Sequence, residues 1–293
     1  MGFNSQDDLI NKVTSGNFVR TDFNKITGAV TYAAGRWYDF SMLSGYPVAN
    51  AWAGTALNWV SCNESTGNGT QIFGLPHGGN ISPLSKHGLN VSAITAVATG
   101  VPGQLMLVDM QGYFPGINMN VNTLQTLVGT PTLRYTNGQG VRAYLVPNAA
   151  TGTTAHNLSM SYTNQAGTSG RTLPVTVACT TSATSGHITH SGTAANNYGP
   201  FLPMASGDTG IQSVQSVQLS AASGAGTANL VLAKPLLTIP LVAASIASER
   251  DLVNQLPSLP EIKDGACLTW LYFAGAATAA STNFYGAVEV AWG

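Results

Sequence analysis

The chain has 293 residues with 11 Lys and Arg, 12 Asp and Glu, and a formal net charge of -1, so only 8% of it is charged, against about 25% in ordinary soluble domains. Hydrophobic residues make up 44%, which excludes a disordered chain, because disorder goes with high charge and few apolar groups. The near-zero charge leaves no field to gather nucleic acid or an anionic membrane surface, and neither is expected as a partner.

In chain order, MGFNSQDDLINK contains no apolar core of a secretory signal. Ser5 can cap a short helix, Asp7 and Asp8 suit its first turn, and Leu9, Ile10 and Val13 give it an apolar side. Residues 1–35 are expected to form an attachment arm, with sustained strand patterning starting near Ala29. Residues 36–293 are expected to form a β-rich body, with a possible subdivision near 115–130. Fourteen of the 23 charges fall in residues 1–39 and 249–264, which leaves the middle of the chain almost uncharged.

Short strand patterns fill the body. VSAITAVAT and QLMLVDMQGYF flank Gly100-Val101-Pro102-Gly103, a tight-turn signal. TLRYTNGQGVRAYLV predicts a hairpin around Asn137-Gly138. HNLSMSYT alternates Leu158, Met160 and Tyr162, and RTLPVTVAC alternates Leu173, Val175 and Val177. SVQSVQLS and ANLVLA flank Ser223-Gly224-Ala225-Gly226, and ACLTWLYF is followed by FYGAVEVAWG. Ser248-Glu249-Arg250-Asp251 reads as a capping-box start to a helix ending before Pro257. Many short strands between turns predict an all-β sandwich or jelly-roll-like barrel with a short N-terminal helical arm. TAANNYG and TAASTNFYG are alike, but too short to define a repeat.

Chemistry is sparse. Nucleophile-elbow, phosphate-loop and dinucleotide motifs are missing, so no catalytic residue and no cofactor is assigned. Cys62, Cys179 and Cys267 are widely spaced and read as small core residues. His187 and His190 form an HxxH without nearby acidic or Cys ligands, and loop hydrogen bonding is preferred to a metal site. His77 and His87, each before Gly, read the same way. Outside the two charged windows the acids are Glu64, Asp109, Asp208 and Glu289. Asp109, on an apolar strand, is expected to sit at the end of its strand or to pair locally with an Arg, and Glu289 to be exposed. Trp37, Tyr38, Trp52, Trp59, Tyr113 and Phe114 read as core or subunit-interface anchors ahead of a sugar platform. The interface expected from these residues comprises Leu9, Ile10, Val13, Arg20, Trp37 and Tyr38.

RWYDFSMLSGYPVANAWAG, NVSAITAVATGVPGQLMLVDMQGYFPG, GTPTLRYTNGQGVRAYL, TAANNYGPFLPMASGDTG and DGACLTWLYFAGAATAASTNF resemble segments of structural proteins encoded in tailed-phage genomes. The resemblance implies a non-enzymatic virion component. Its preferred role is a capsid decoration (cement) protein, partnered by the major capsid protein and by copies of itself, with a trimer favoured. A long spine helix and charged extended loop, expected of a major capsid protein, are not found in the pattern. A tail or fibre protein binding host glycans and a surface-polymer hydrolase using Asp109 are the alternatives.

Overall fold

The computed structural model describes residues 2–192, 198–255 and 259–293. The expected helix stop at Pro257 and most of TAANNYG lie outside them. One helix opens the chain, α1 (Gln6–Thr14), followed by β1 (Phe18–Ile26), β2 (Arg36–Asp39), β3 (Ser44–Tyr46) and β4 (Val60–Ser61). Then come β5 (Lys86–Thr95), β6 (Gly103–Asn118), β7 (Gln125–Thr126), β8 (Arg142–Pro147), β9 (His156–Asn164), β10 (Arg171–Thr172) and β11 (Val177–Cys179). The chain closes with β12 (Ile211–Leu219), β13 (Thr227–Leu241), β14 (Ser248–Asp251), the single turn α2 (Leu252–Gln255), β15 (Leu268–Ala274) and β16 (Asn283–Trp292). The protein is all-β, built as packed antiparallel sheets.

The first sheet has the order β14-β5-β16-β1-β3. The central sheet has the order β2-β15-β6-β13-β8, with β4 also on β6, and the third has β10-β9-β12-β7, with β11 also on β9. The 16-residue β6 and the 15-residue β13 pair along nearly their whole length and form the backbone of the molecule. The first sheet packs Phe23, Val91, Phe284 and Val288 against Leu105, Leu107, Ile239 and Trp270 of the central sheet. The third sheet packs Leu158, Met160, Val214 and Val217 against Phe114, Leu145, Leu230 and Leu232 farther along the same strands. A third cluster, with Val108, Met110, Tyr113, Tyr144 and Val231, is closed over by loop residues Trp52, Phe73 and Ile188. Each fully buried large apolar side chain contributes roughly 1.5–3 kcal/mol, so these clusters supply the main favourable term.

Three segment pairs adjacent in sequence, β5 with β6, β12 with β13, and β15 with β16, each step from one sheet to another. Their small-residue turns are therefore crossings between layers rather than hairpin tips. Gly112 shows how tightly β4 lies along β6 within the central sheet: a Cβ there would stand 2.3 Å from the Val60 carbonyl oxygen, beside the Trp59 ring.

Four expectations are corrected. Residues 18–26 are not part of a detached arm, because β1 lies between β16 and β3 with its whole length in register with β16. The Asn137-Gly138 turn exists, at φ of 54° and 70°, but no hairpin forms. β8 pairs with β13, while Arg134 is drawn into a buried carboxylate. RTLPVTVAC divides into β10 and β11 around Pro174, and Val175 is exposed; proline cannot donate to a ladder. Residues 248–251 form strand β14 on β5, and helix α2 starts after them, with Asp251 Oδ1 accepting from Val253 N and Asn254 N.

Candidate functional site

The residues expected at an interface divide. Ile10 is 54% exposed and Arg20 is exposed, whereas Leu9 and Val13 are half-buried. Trp37 and Tyr38 are corrected to core residues: Tyr38 stacks on Tyr32 with ring centroids 3.9 Å apart, and Trp37 lies 5.4 Å from Phe273. Both sit on β2, whose sides are covered by β15 and by the loop around Ile188. The sugar platform fails for the same reason, since Trp52, Tyr113 and Phe114 are also buried. The helix lies back on the chain's own body, where the Phe3 ring is 5.8 Å from His87 and the following Asn17 carbonyl accepts from Trp292 N.

The four acids outside the charged windows all pair with a basic side chain. Glu289 accepts from Arg20 at 3.2 Å on the outer face of the first sheet. Asp208 accepts from Arg171, Tyr162 and Asn164. Burial opposes its ionisation, but these hydrogen bonds outweigh it and hold the carboxyl below the usual range. Asp109 is fully buried and is gripped by Arg134, whose Nε donates to Oδ2 at 3.0 Å and whose Nη2 donates to Oδ1 at 2.5 Å. Cys267 N also donates to Oδ1. Arg134 also donates from Nη1 to the Cys62 carbonyl and from Nη2 to that of Met110. It thus plugs the gap on the edge of β6 where β4 stops and β15 begins.

Beside this plug lies the densest cluster of charge in the body. An open cleft of about 290 Å³ is lined by Ser82, Lys86, Arg134, Glu261, Lys263 and Asp264 among others. The Lys86 side chain is fully enclosed at its base. Its Nζ donates to His77 Nδ1 at 2.9 Å and to the Gly79 carbonyl, and stands 3.6 Å from Asp264 Oδ1. The accepting role of Nδ1 places the His77 proton on Nε2, which meets the Ala266 carbonyl at 2.8 Å and Glu64 Oε2 at 3.3 Å. Glu64 Oε1 in turn accepts from the backbone N–H groups of His77 and Gly79. Burial lowers the Lys86 pKa against the opposing pull of Glu64 and Asp264. Burial, then the Lys86 charge, lowers that of His77. Sequence reading passed over Glu64, His77, Lys86 and Asp264 as a group, because they come from distant loops and a strand start. A usable signal was present: a lone charge in a charge-poor β chain has to find a partner when it is buried.

His187 and His190 are buried hydrogen-bonding residues. His187 Nε2 faces the Ser191 carbonyl at 3.1 Å, and His190 Nδ1 faces that of Tyr198. Burial pushes them down to about 3 and about 4 respectively. Among the described residues, no group of three or more His, Cys, Asp or Glu is placed to hold a metal ion. All three cysteines are buried and unpaired as disulfides. No helix among the described residues is long and apolar enough to cross a membrane.

Away from the Lys86 cleft and from Arg20 and Asp22, much of the surface is uncharged. An open groove of about 770 Å³ on the third sheet mixes amides and hydroxyls, including Asn157, Ser159 and Gln218, with apolar Leu173, Pro174 and Val175. Large apolar side chains stand exposed at Leu124, Val128, Val242 and Ile246.

No family model matches the chain, and no curated protein matches it. Among solved structures, the VP2 subviral particle of infectious bursal disease virus aligns over 94% of this chain and 80% of that one. The identity is 10% and the TM-score 0.19. The Gx strain of the same virus gives the same coverage, identity and score. The Gt strain covers 94% and 79% at 11% identity, with a TM-score of 0.18. At these scores the fold rests on the strands described above.

Proposed function

We propose that this chain is a structural component of a tailed-phage virion, a capsid decoration protein that bridges and stabilises capsid subunits. It acts without catalysis and without a cofactor, in contact with the major capsid protein and with copies of itself, as a trimer or another symmetric multimer. The observation that carries this reading is where the charges go. Several of the few charged groups of the body are turned inward, Asp109 onto Arg134, Lys86 onto His77 and Asp264, and Asp208 onto Arg171, so much of the outer surface carries neutral amides, hydroxyls and exposed apolar side chains, with Arg20, Asp22, Glu261 and Lys263 among the charges left on it. Such a surface needs little desolvation when covered by a partner, and offers little charge repulsion to keep copies apart. The resemblance to phage structural proteins supports the same role.

The test is sedimentation of the purified chain, alone and with undecorated capsids. A symmetric multimer that cosediments with the shell is the expected result; a lone monomer that ignores capsids overturns it. The groove on the third sheet favours a second reading, a glycan-binding tail protein, since amides and hydroxyls suit sugar hydroxyls. Glycan-array binding abolished by Asn157→Ala would support it. The hydrolase reading loses its acid, because both Asp109 oxygens are already engaged and the group is sealed from solvent.

A further inference from the structure

The cluster around Lys86 contains more than an ion pair requires. Lys86 opens β5, and its backbone is fixed by pairing with Trp292 and by accepting from Ile262 N. Its amine is therefore delivered to one place. Asp264 is held as rigidly from the other side: Ile81 N donates to Oδ1 and Ser82 N to Oδ2, each at 3.1 Å. Nζ stands 3.6 Å from Oδ1, so the amine and the carboxyl group are already held side by side, as proximity-driven reaction requires. His77 Nδ1 is in position to take a proton from Nζ, and Glu64 lies behind the imidazole at 3.3 Å. The order carboxylate, imidazole, nucleophile follows the logic of an activated nucleophile with an oriented base.

We propose that Lys86 and Asp264 join in an intramolecular isopeptide bond. Lys86 transfers a proton to His77 Nδ1, and the neutral amine attacks Cγ of Asp264. The Nζ–Cγ bond forms, one Cγ–O bond breaks, and that oxygen leaves as water with two protons that began on Nζ. Nothing is oxidised or reduced, and one cation and one anion disappear together. The Ile81 and Ser82 N–H groups stabilise charge on the carboxyl oxygens as the tetrahedral centre develops. Glu64 steadies the imidazolium and is a positioning residue. Burial favours the neutral amine that the attack requires. The bond ties the start of β5 in the first sheet to the loop that feeds β15 in the central sheet. It closes a long loop covalently and so restricts the unfolded chain.

Intact mass of the full chain, purified folded and then denatured, tests this. The expected mass is lower than that of the sequence by one water molecule, and a protease digest should contain a branched peptide joining Lys86 to Asp264. Asp264 precedes Gly265, so a succinimide could also lose one water. Lys86→Arg separates the two: the water loss disappears if the isopeptide is its source and persists if a succinimide is. Glu64→Gln, with folding checked by circular dichroism, is expected to lower the linked fraction. Wild-type protein at full sequence mass with no branched peptide, or water loss retained in Lys86→Arg, overturns the proposal.

Discussion

At the scale of single residues, buried charge decides the outcome more than apolar content does. Arg134 and Asp109 form a buried ion pair, and removing Arg134 leaves the Asp109 carboxylate buried without its counter-charge. Arg134→Ala is expected to cost about 3–5 kcal/mol, read as a fall in the urea midpoint at constant slope. A loss below about 1 kcal/mol, the range of an exposed pair, would contradict the geometry. The buried histidines set an acid limit. His187 and His190 are held at about 3 and about 4, whereas free His titrates near 6.5. Between those values the unfolded chain binds protons that the folded chain refuses, so stability is fully present above pH ~6.5 and falls as the pH drops toward 4. Urea unfolding across that window should show the loss, and a His190→Gln variant should show a shallower slope. A wild-type stability that rises on acidification to pH ~5 would contradict this assignment. Asp109's pairing and the burial of the cysteines could be expected from their apolar neighbours. The Lys86 cluster could not, because its members meet only in the folded chain.

At the scale of elements, alternation in β9 was legible because Leu158, Met160 and Tyr162 face one core at period two. β12 shows why other strands are harder. Its buried residues Ile211, Val214, Val217 and Leu219 are spaced three, three and two apart. Register shifts between Ile211 and Ser213 and between Val214 and Ser216 absorb the extra residues, as β-bulges do. Sheet membership was not legible either, since a Gly-rich turn is the same signal whether it closes a hairpin or crosses between layers. The N-terminal segment was misjudged because Arg20, Asp22 and Lys25 mask the alternation of β1. Arg20 and Asp22 face outward, while Lys25 points inward and its ammonium is capped by the carbonyls of Leu43 and Pro47. Burial, opposed by Asp39, lowers Lys25 to about 8. A truncation starting at Thr27 removes a central strand and is expected to abolish the native circular dichroism spectrum. One starting at Asn17 removes only α1, which has no fully buried residue, and should keep that spectrum. A native fold in the Thr27 truncation would show that β1 is dispensable.

At the scale of the whole molecule, three core clusters are strung along the same long strands, and the charges buried inside act as fasteners between loops and sheets. Much of the outside is left uncharged, which gives association a particular signature. Contacts between uncharged surfaces are weakly screened, so self-association measured at about 50 mM and at about 0.5 M salt should differ little, although the Debye length changes severalfold. A steep salt dependence would point to the exposed charges near the N-terminus, Arg20 and Asp22, as the contact instead. With a weak salt dependence, burial of exposed apolar groups such as Leu124, Val128, Val242 and Ile246 supplies the affinity. The most direct test of the central claim is a cryo-electron microscopy reconstruction of intact particles assembled with this chain. Symmetric copies seated on the capsid shell, meeting it and each other through uncharged surface, are expected. Copies found only in the tail, or no ordered copies on the particle, would contradict it.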